Sequence, residues 1–579
     1  MPLRHENKTT TTLTPPTMSN AVTIAGVETR KQKILLYYKV LLLAAVSGYL
    51  LYGLGSYGLL DNNEGLYAEI AREMAETRSL VIPLLNYVHY FEKPPLLYWL
   101  VSIVYALFGI SEFTTRIVPV SASVAVIAGL VIFGRNIKRP CVGWMSALLL
   151  TSSFGYILIS RTLIFDMLLT CLLSFSLIFF FFWYQEQRRG YIRMSYCALA
   201  LAVLAKGLVA VLFFVLIAAL FAALAREKKL SVHQLFDPFG LALLLVIAMP
   251  WHLLAMAKNH DFARFYFINE HIMRFLGTRV PKDYHTGPIY FYLLEAPVLI
   301  FPWAVFLPTL FYKEKWKLLL RSDLELFLWL WILVPLAVFS LSANKANYYM
   351  ITVTPPLTFL LALRLEELIS EERSALIGTQ TALIALVGLL LSIVTCVKPD
   401  DSITFLHASG GFKSDYLFAF AIFTVGATVA ALLMYSKRYF VAVGIIASLS
   451  LPLLAFSLHM VTRAEAYCTK KSFCDFLQKS EKDRAVFLYR DYEELSSLPF
   501  YLKGHVFIID SASEDLSYGI KYSQDVGRFI SWNKFQRFSR SHKVAVVVLA
   551  KRIDEFRGKS LARLFVEEKR AGNVVLYVN

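Results

Sequence analysis

Carboxylates and cations crowd the first hydrophilic stretch of this chain. Asp61-Asn62-Asn63-Glu64-Gly65-Leu66-Tyr67-Ala68-Glu69-Ile70-Ala71-Arg72-Glu73 is followed by Tyr90-Phe91-Glu92-Lys93-Pro94-Pro95. Carboxylates such as Asp61 and Glu64 can take a proton from an attacking group. A lysine such as Lys93 offers a compact positive charge to a phosphate. Asp166 stands in an apolar run, where a carboxylate is costly and marks a site by default. Further on come Glu270, His271 and Arg274, then Lys345 and Tyr349 one helical turn apart. Arg274, Lys345 and Tyr349 are donors suited to phosphate oxygens. These types together suit group transfer on an anionic molecule held at a membrane surface.

Each residue also has a plainer reading. Asp61 can cap the helix that follows and Glu64 can complement its dipole. Lys93 and Lys345 can snorkel from a membrane surface. Asp166 can pair with Arg161, and Lys206 can end a helix at the interface. Glu270 and Arg274 stand four apart and can pair along a helix. What favours a site is convergence, and that depends on the elements carrying these residues.

Those elements are mostly membrane helices. The chain has 579 residues, of which 57% are hydrophobic and 17% charged, with mean hydropathy +0.55. That composition belongs to a polytopic membrane protein. Apolar runs of about 20 residues recur to residue 460, giving about thirteen spans. They begin with 35–55, 117–135, 142–160 and 163–184 and close with 415–435 and 438–460. The net charge of +16 is dispersed among the spans, as expected of cytoplasmic loops and not of a nucleic-acid surface. Reading 95–110 as a helix lying at the interface puts the basic loops at 134–139, 188–189, 226–229, 313–317 and 437–438 on the cytoplasmic side. Loop 56–116, Asp166, segment 258–289 and the turn at Lys345–Tyr349 then share the opposite, extracytoplasmic face. Residues 63–77 form an amphipathic helix that can lie on the bilayer.

The organisation expected is a disordered cytoplasmic tail over 1–34, a membrane domain over 35–460 and a small extracytoplasmic α/β domain over 461–579. In the last, 485–489, 505–509, 544–549 and 574–578 read as strands, and 470–481 and 553–568 as helices. Cys468 and Cys474 are either a disulfide or two thiols. No Walker A, GxGxxG, GxSxG or HExxH motif occurs, which argues against a nucleotide-driven pump.

Taken in order, the motifs resemble the GT-C class of lipid-linked-sugar transferases, and within it the bacterial aminoarabinose transferase and protein O-mannosyltransferase family. The matching pieces are residues 63–74, 90–100, Arg161–Met167, Ala205-Lys206-Gly207, Asn269–Phe275, His285-Thr286-Gly287-Pro288 and Lys345–Tyr349. The resemblance implies a polytopic helical fold with an extracytoplasmic C-terminal domain in a bacterial inner membrane. It implies a polyprenyl-phosphate sugar donor and lipid A or an envelope protein as acceptor. It assigns Lys93, Arg274 and Tyr349, with Lys345 beside them, to the donor phosphate, and an acidic set of Glu64, Asp61 and Asp166 to the acceptor. No cofactor is required by the motifs, although the resemblance carries a divalent metal toward Glu92 and His271. Two positions depart from the family. Asn63 replaces its usual Asp, and an amide cannot act as a base, so either Glu64 or Asp61 takes that role or the acceptor is already ionised. Asn269 stands where the aminoarabinose group has a His. A flippase of lipid-linked sugar and a non-catalytic envelope scaffold are the alternative readings.

Overall fold

A computed structural model describes residues 45–46, 48–230, 232–282, 286–311, 322–397, 412–503, 506–522 and 527–579. The tail 1–34, the basic run 313–317, His285 and His505 lie outside the described residues. The chain divides into two units between residues 52 and 53. In the first, 45–46 and 48–51 are helical. Everything below concerns the second.

Among the described residues, eight helices are long and apolar enough to cross a membrane, or nine if one bent pair counts as a span. The expected spans at 117–135 and 163–184 appear as Glu112–Asn136 and Phe165–Glu186. Other apolar runs are broken. The stretch expected at 142–160 is two helices, Pro140–Thr151 and Phe154–Ser160, bent by 71°. The apolar run at 290–312 is a helix over Phe291–Leu299 followed by 3-10 turns over Trp303–Phe311. Leu96–Phe108 has 13 residues, about 20 Å of helix, short of the roughly 30 Å hydrocarbon core.

Asn63–Thr77 does not lie on a bilayer as its amphipathic pattern suggested. Its residues from Glu64 to Met74 are all buried, enclosed by membrane helices on one side and the C-terminal region on the other. Gly65 permits this: a Cβ there would stand 2.6 Å from the Ser497 nitrogen. Glu64 is fixed at the start of this helix by Arg116, which is wholly buried. Arg116 Nε donates to Glu64 Oε1 at 2.8 Å and Nη2 to Oε2 at 2.7 Å. Its remaining N–H groups reach the carbonyls of Leu54, Tyr57 and Gly58. Glu64 also accepts from the backbone N–H groups of Leu60 and Leu163.

The C-terminal region is a six-stranded sheet with helices. A two-residue ladder, β1 (Leu84–Leu85) with β2 (Val88–His89), precedes it in the chain. The sheet strands are β3 (Ala485–Tyr489), β4 (Phe507–Ile509), β5 (Phe529–Ile530), β6 (Val544–Leu549), β7 (Val566–Ala571) and β8 (Val574–Val578), in the order β5-β4-β3-β6-β8-β7. β5, β4, β3 and β6 are parallel, and β8 and β7 close one side as an antiparallel pair. The expected helix 553–568 is instead a short helix, Ile553–Arg557, followed by β7. β7 is a charged edge strand, Val-Glu-Glu-Lys-Arg-Ala, whose composition hides its pairing. Both Cys468 and Cys474 are free thiols.

Removing the charge of Glu64 strands that of Arg116 in the interior, and breaking a buried pair costs about 3–5 kcal/mol. Glu64→Gln is therefore expected to lower the unfolding midpoint of the detergent-purified chain sharply. Glu76→Gln, which loses an ion pair whose carboxylate side chain is 54% exposed, serves as the control, with an effect within about 1 kcal/mol. Equal midpoints in the two variants would remove Glu64 from its structural role.

Candidate active site

Two adjoining spaces meet beside the ends of the membrane helices. The first is polar and is lined among others by Asn63, Tyr67, Glu92, Lys93, Asp166, Lys206, Arg274, Arg279, Asn344, Tyr349, Glu514 and Asp515. The second has mostly apolar walls from Leu208, Val209, Leu212, Ile272, Phe275, Leu276, Val338 and Phe339. Glu92, Lys93, Lys206, Arg274, Asn344 and Tyr349 line both. A row of cations thus stands where a polar chamber opens into an apolar groove.

Each cation is held by a local device. Lys93 follows Glu92, with Nζ 4.0 Å from its carboxylate. Lys206 ends the helix Arg189–Lys206, pairs with Asp166 and lies 4.2 Å above the Tyr349 ring. Gly207 makes the turn behind it at φ +93°, a conformation glycine supplies freely. A Cβ there would meet His271 Nε2 at 2.6 Å. Arg274 follows a π-helix over Arg264–Met273 and reaches Glu270 at 3.1 Å. Arg279 bridges Glu92 and Glu270, both at 2.6 Å.

Asp166 opens the helix Phe165–Glu186. Its partner is Lys206, forty residues on, where the sequence suggested Arg161. The aromatic rings of Tyr67 and Tyr98 pack edge-on against Phe165, at 4.8 Å and 5.3 Å between centroids. Two tyrosines of the family motifs therefore fix the residue next to the site's carboxylate.

Burial in the loop pushes the Lys93 ammonium down to about 8, with the charge of Arg274 adding to the effect. Burial acts to raise the Glu92 carboxyl, but Arg279, Lys93 and Arg274 together carry it below its ordinary value. Burial and the charge of Glu92 hold Asp515 well above the carboxylate range. Of this hydrogen-bonded pair, Asp515 keeps the proton.

Four expected residues sit elsewhere or act otherwise. Glu64 lies outside the chamber, saturated by Arg116 and two backbone donors. Asp61 neither caps the helix nor reaches the chamber: Oδ2 pairs with Lys470 at 3.0 Å and Oδ1 accepts from Ser497 Oγ at 2.7 Å. Neither carboxylate has the geometry of a base at this site. Lys345 spends its ammonium on the carbonyls of Phe339, Ser340 and Ser342, at 2.6–2.8 Å, and so caps the preceding helix. The metal expected at Glu92 and His271 finds no cage. His271 is pushed down to about 4 by burial, its Nδ1 donates to the Tyr266 carbonyl and its Nε2 accepts from the Leu208 N–H. Among the described residues no group of three His, Cys, Asp or Glu side chains could hold an ion.

Lys93, Arg274, Tyr349 and Asp166 do come together. Lys206, Arg279, Asn344, Glu514 and Asp515 join them without having been singled out for the site. Lys206 carried a signal in the motif Ala-Lys-Gly. Glu514 and Asp515 arrive from the C-terminal region, with no local mark to distinguish them from a solvated helix start.

A model of the dolichyl-phosphate-mannose-protein mannosyltransferase family matches residues 92–253. An undecaprenyl phosphate-alpha-4-amino-4-deoxy-L-arabinose arabinosyl transferase of Pseudomonas savastanoi pv. phaseolicola is 31% identical over 62% of this chain and 67% of its own. One from Pseudomonas fluorescens is 26% identical over 93% of this chain and 97% of its own. At 31% identity the alignments span 62% to 67% of the length of such relatives. The crystal structure of ArnT from Cupriavidus metallidurans bound to undecaprenyl phosphate shares the fold, with TM-score 0.78, 24% identity and coverage of 93% of this chain and 97% of that one.

Gly207→Ala forces a side chain into a left-handed turn and onto the His271 ring. Such strain costs about 1–3 kcal/mol. The unfolding midpoint in detergent is expected to fall accordingly. A midpoint equal to that of the parent would show that the turn can relax.

Proposed function

The chain belongs to the undecaprenyl-phosphate aminoarabinose transferases, and from that premise we propose that it moves a sugar from a polyprenyl-phosphate donor to lipid A at the extracytoplasmic face of a bacterial inner membrane. The observation that carries this reading is the shared wall of the two spaces. A prenyl chain suits the apolar groove, a sugar suits the polar chamber, and the phosphate joining them falls among Lys93, Lys206 and Arg274. As the bond from the anomeric carbon to the phosphate oxygen breaks, negative charge grows on the leaving phosphate. Cations fixed at that point stabilise it without reorganising. Asp166 holds Lys206 in place from inside the chamber.

A phosphate oxygen of lipid A is ionised before it attacks and needs no base. Asn63 in the chamber wall agrees with such an acceptor better than with a protein hydroxyl. Glu514 and Asp515 line the chamber and not the groove, so the far end of the sugar meets carboxyl groups. That suits a sugar carrying an amine.

Support for this orientation comes from the helix Phe165–Glu186, whose 22 residues span about 33 Å. Asp166 marks its chamber end. At the other end Tyr184 and the backbone of Arg226 and Glu227 meet on Asp323. The basic loops at 188–189 and 226–229 thus lie away from the chamber, as a cytoplasmic face requires. Residues 461–579 then form an extracytoplasmic domain following a membrane domain over 35–460.

The test compares lipid A by mass spectrometry from a parent strain, a deletion strain and strains restored with variants. Loss of an aminopentose-sized mass in the deletion, regained with the parent gene and not with Asp166→Asn or Lys93→Ala, is the expected result. Unchanged lipid A in the deletion would overturn the acceptor. Lys93 adds a pH signature: its charge is present below about 8 and lost above it. Affinity for undecaprenyl phosphate should fall as pH rises through that value. Lys93→Arg, which stays charged, should flatten the profile.

A further inference from the structure

Asn344 lines both the chamber and the groove and is 4% exposed. Its Oδ1 accepts a hydrogen bond from the Tyr349 hydroxyl at 2.9 Å. With the oxygen committed, the amide presents its nitrogen, and Nδ2 has no partner among the described residues. A sealed polar donor without a partner is costly, on the order of 1–3 kcal/mol, and calls for an explanation. The backbone around it is held firmly. Residue 344 bridges Thr286 antiparallel, and the neighbouring Lys345 ties down the carbonyls of the turn before it. Side chain and backbone are both preorganised, and the residue carrying the one group left over lines the junction where Lys206 also stands.

We propose that the Asn344 amide is a ligand-binding group of this site, donating N–H to a phosphate oxygen of the lipid-linked donor. The assignment rests on the transferase reading above. It adds a neutral, directional donor to the charged ones: Lys93, Lys206 and Arg274 attract the phosphate, and Asn344 fixes which oxygen faces the groove. Tyr349 then acts on the phosphate partly as a positioning residue, by holding the amide in the orientation that leaves its nitrogen free.

The experiment titrates the full-length chain in detergent with undecaprenyl phosphate and, separately, with undecaprenol, and records the unfolding midpoint without lipid. Asn344→Asp keeps an acceptor for Tyr349 but puts an oxygen where Nδ2 stands, and Asn344→Ala removes the amide. A hydrogen bond to a charged group is worth about tenfold or more in affinity. Asn344→Ala is expected to lose about tenfold for undecaprenyl phosphate and Asn344→Asp more, since its oxygen opposes the phosphate. Affinity for undecaprenol and the lipid-free midpoint should hold. Unchanged phosphate affinity in both variants would overturn the assignment, and so would a loss shared equally by both lipids and matched by a lower midpoint. If the parent chain binds the phosphate lipid no better than the alcohol, the transferase reading fails, and this assignment with it.

Discussion

The buried ion pair between Glu64 and Arg116 is the constraint on which the site depends. Arg116 uses all five of its N–H groups, on one carboxylate and three carbonyls. Glu64 accepts two further bonds from backbone N–H groups. Two charges taken out of water gain little net stability even when well paired. What they gain here is position. The pair ties segment 54–60, the helix from Asn63, the long helix from Glu112 and the strand of chain at Leu163 to one point. Leu163 lies just before Asp166, so the pair sets where the site's own carboxylate begins its helix.

From that fixed point the site divides its labour by polarity. The groove is walled by aliphatic and aromatic side chains, and the chamber by ion pairs. The cations between them would repel one another in a poorly solvated space. Each is therefore held against an acid: Lys93 near Glu92, Lys206 on Asp166, Arg274 and Arg279 on Glu270. Any anion entering here competes with these carboxylates and does not meet an empty ring of charge. This arrangement keeps the resting site near neutrality while leaving several donors ready for an anion.

How much of this was legible follows from what a residue type can reveal. Lys93, Arg274, Tyr349 and Asp166 belong to motifs that converge on one face in the sequence, and in the structure they line one chamber. Glu64, Asp61 and Lys345 carry the same types in the same motifs, yet they hold the backbone and the C-terminal region in place. Charge and spacing look alike in the two cases, and the partner decides. Those partners, Arg116, Lys470 and the carbonyls of a helix end, are long-range or have no side-chain signature. Lys206 was undervalued for the same reason, since its acid lies forty residues earlier. Of the architecture, helical content and four sheet strands were plain from hydrophobic pattern. The bend after Thr151 and the break near Pro297 were not, because an apolar run says nothing about where its helix yields.

The C-terminal region is part of the site and not an appendage to it. In an open α/β sheet, ligand-binding loops follow the carboxyl ends of parallel strands, and here those loops turn toward the membrane helices. The loop after β3 brings Ser496 to the Asn62 carbonyl and Ser497 to Asp61. The loop after β4 leads into the helix Glu514–Tyr522, whose first turn is gathered by Glu493. That gathering sets Glu514 and Asp515 in the chamber wall, and Tyr518 stacks on Phe265 at 3.9 Å between ring centroids. The chamber therefore acquires its acidic side only when the sheet has folded against the loop carrying Glu92 and Lys93. The cations and part of the acidic wall facing them thus come from two regions far apart in the chain, joined where Asp515 meets Glu92.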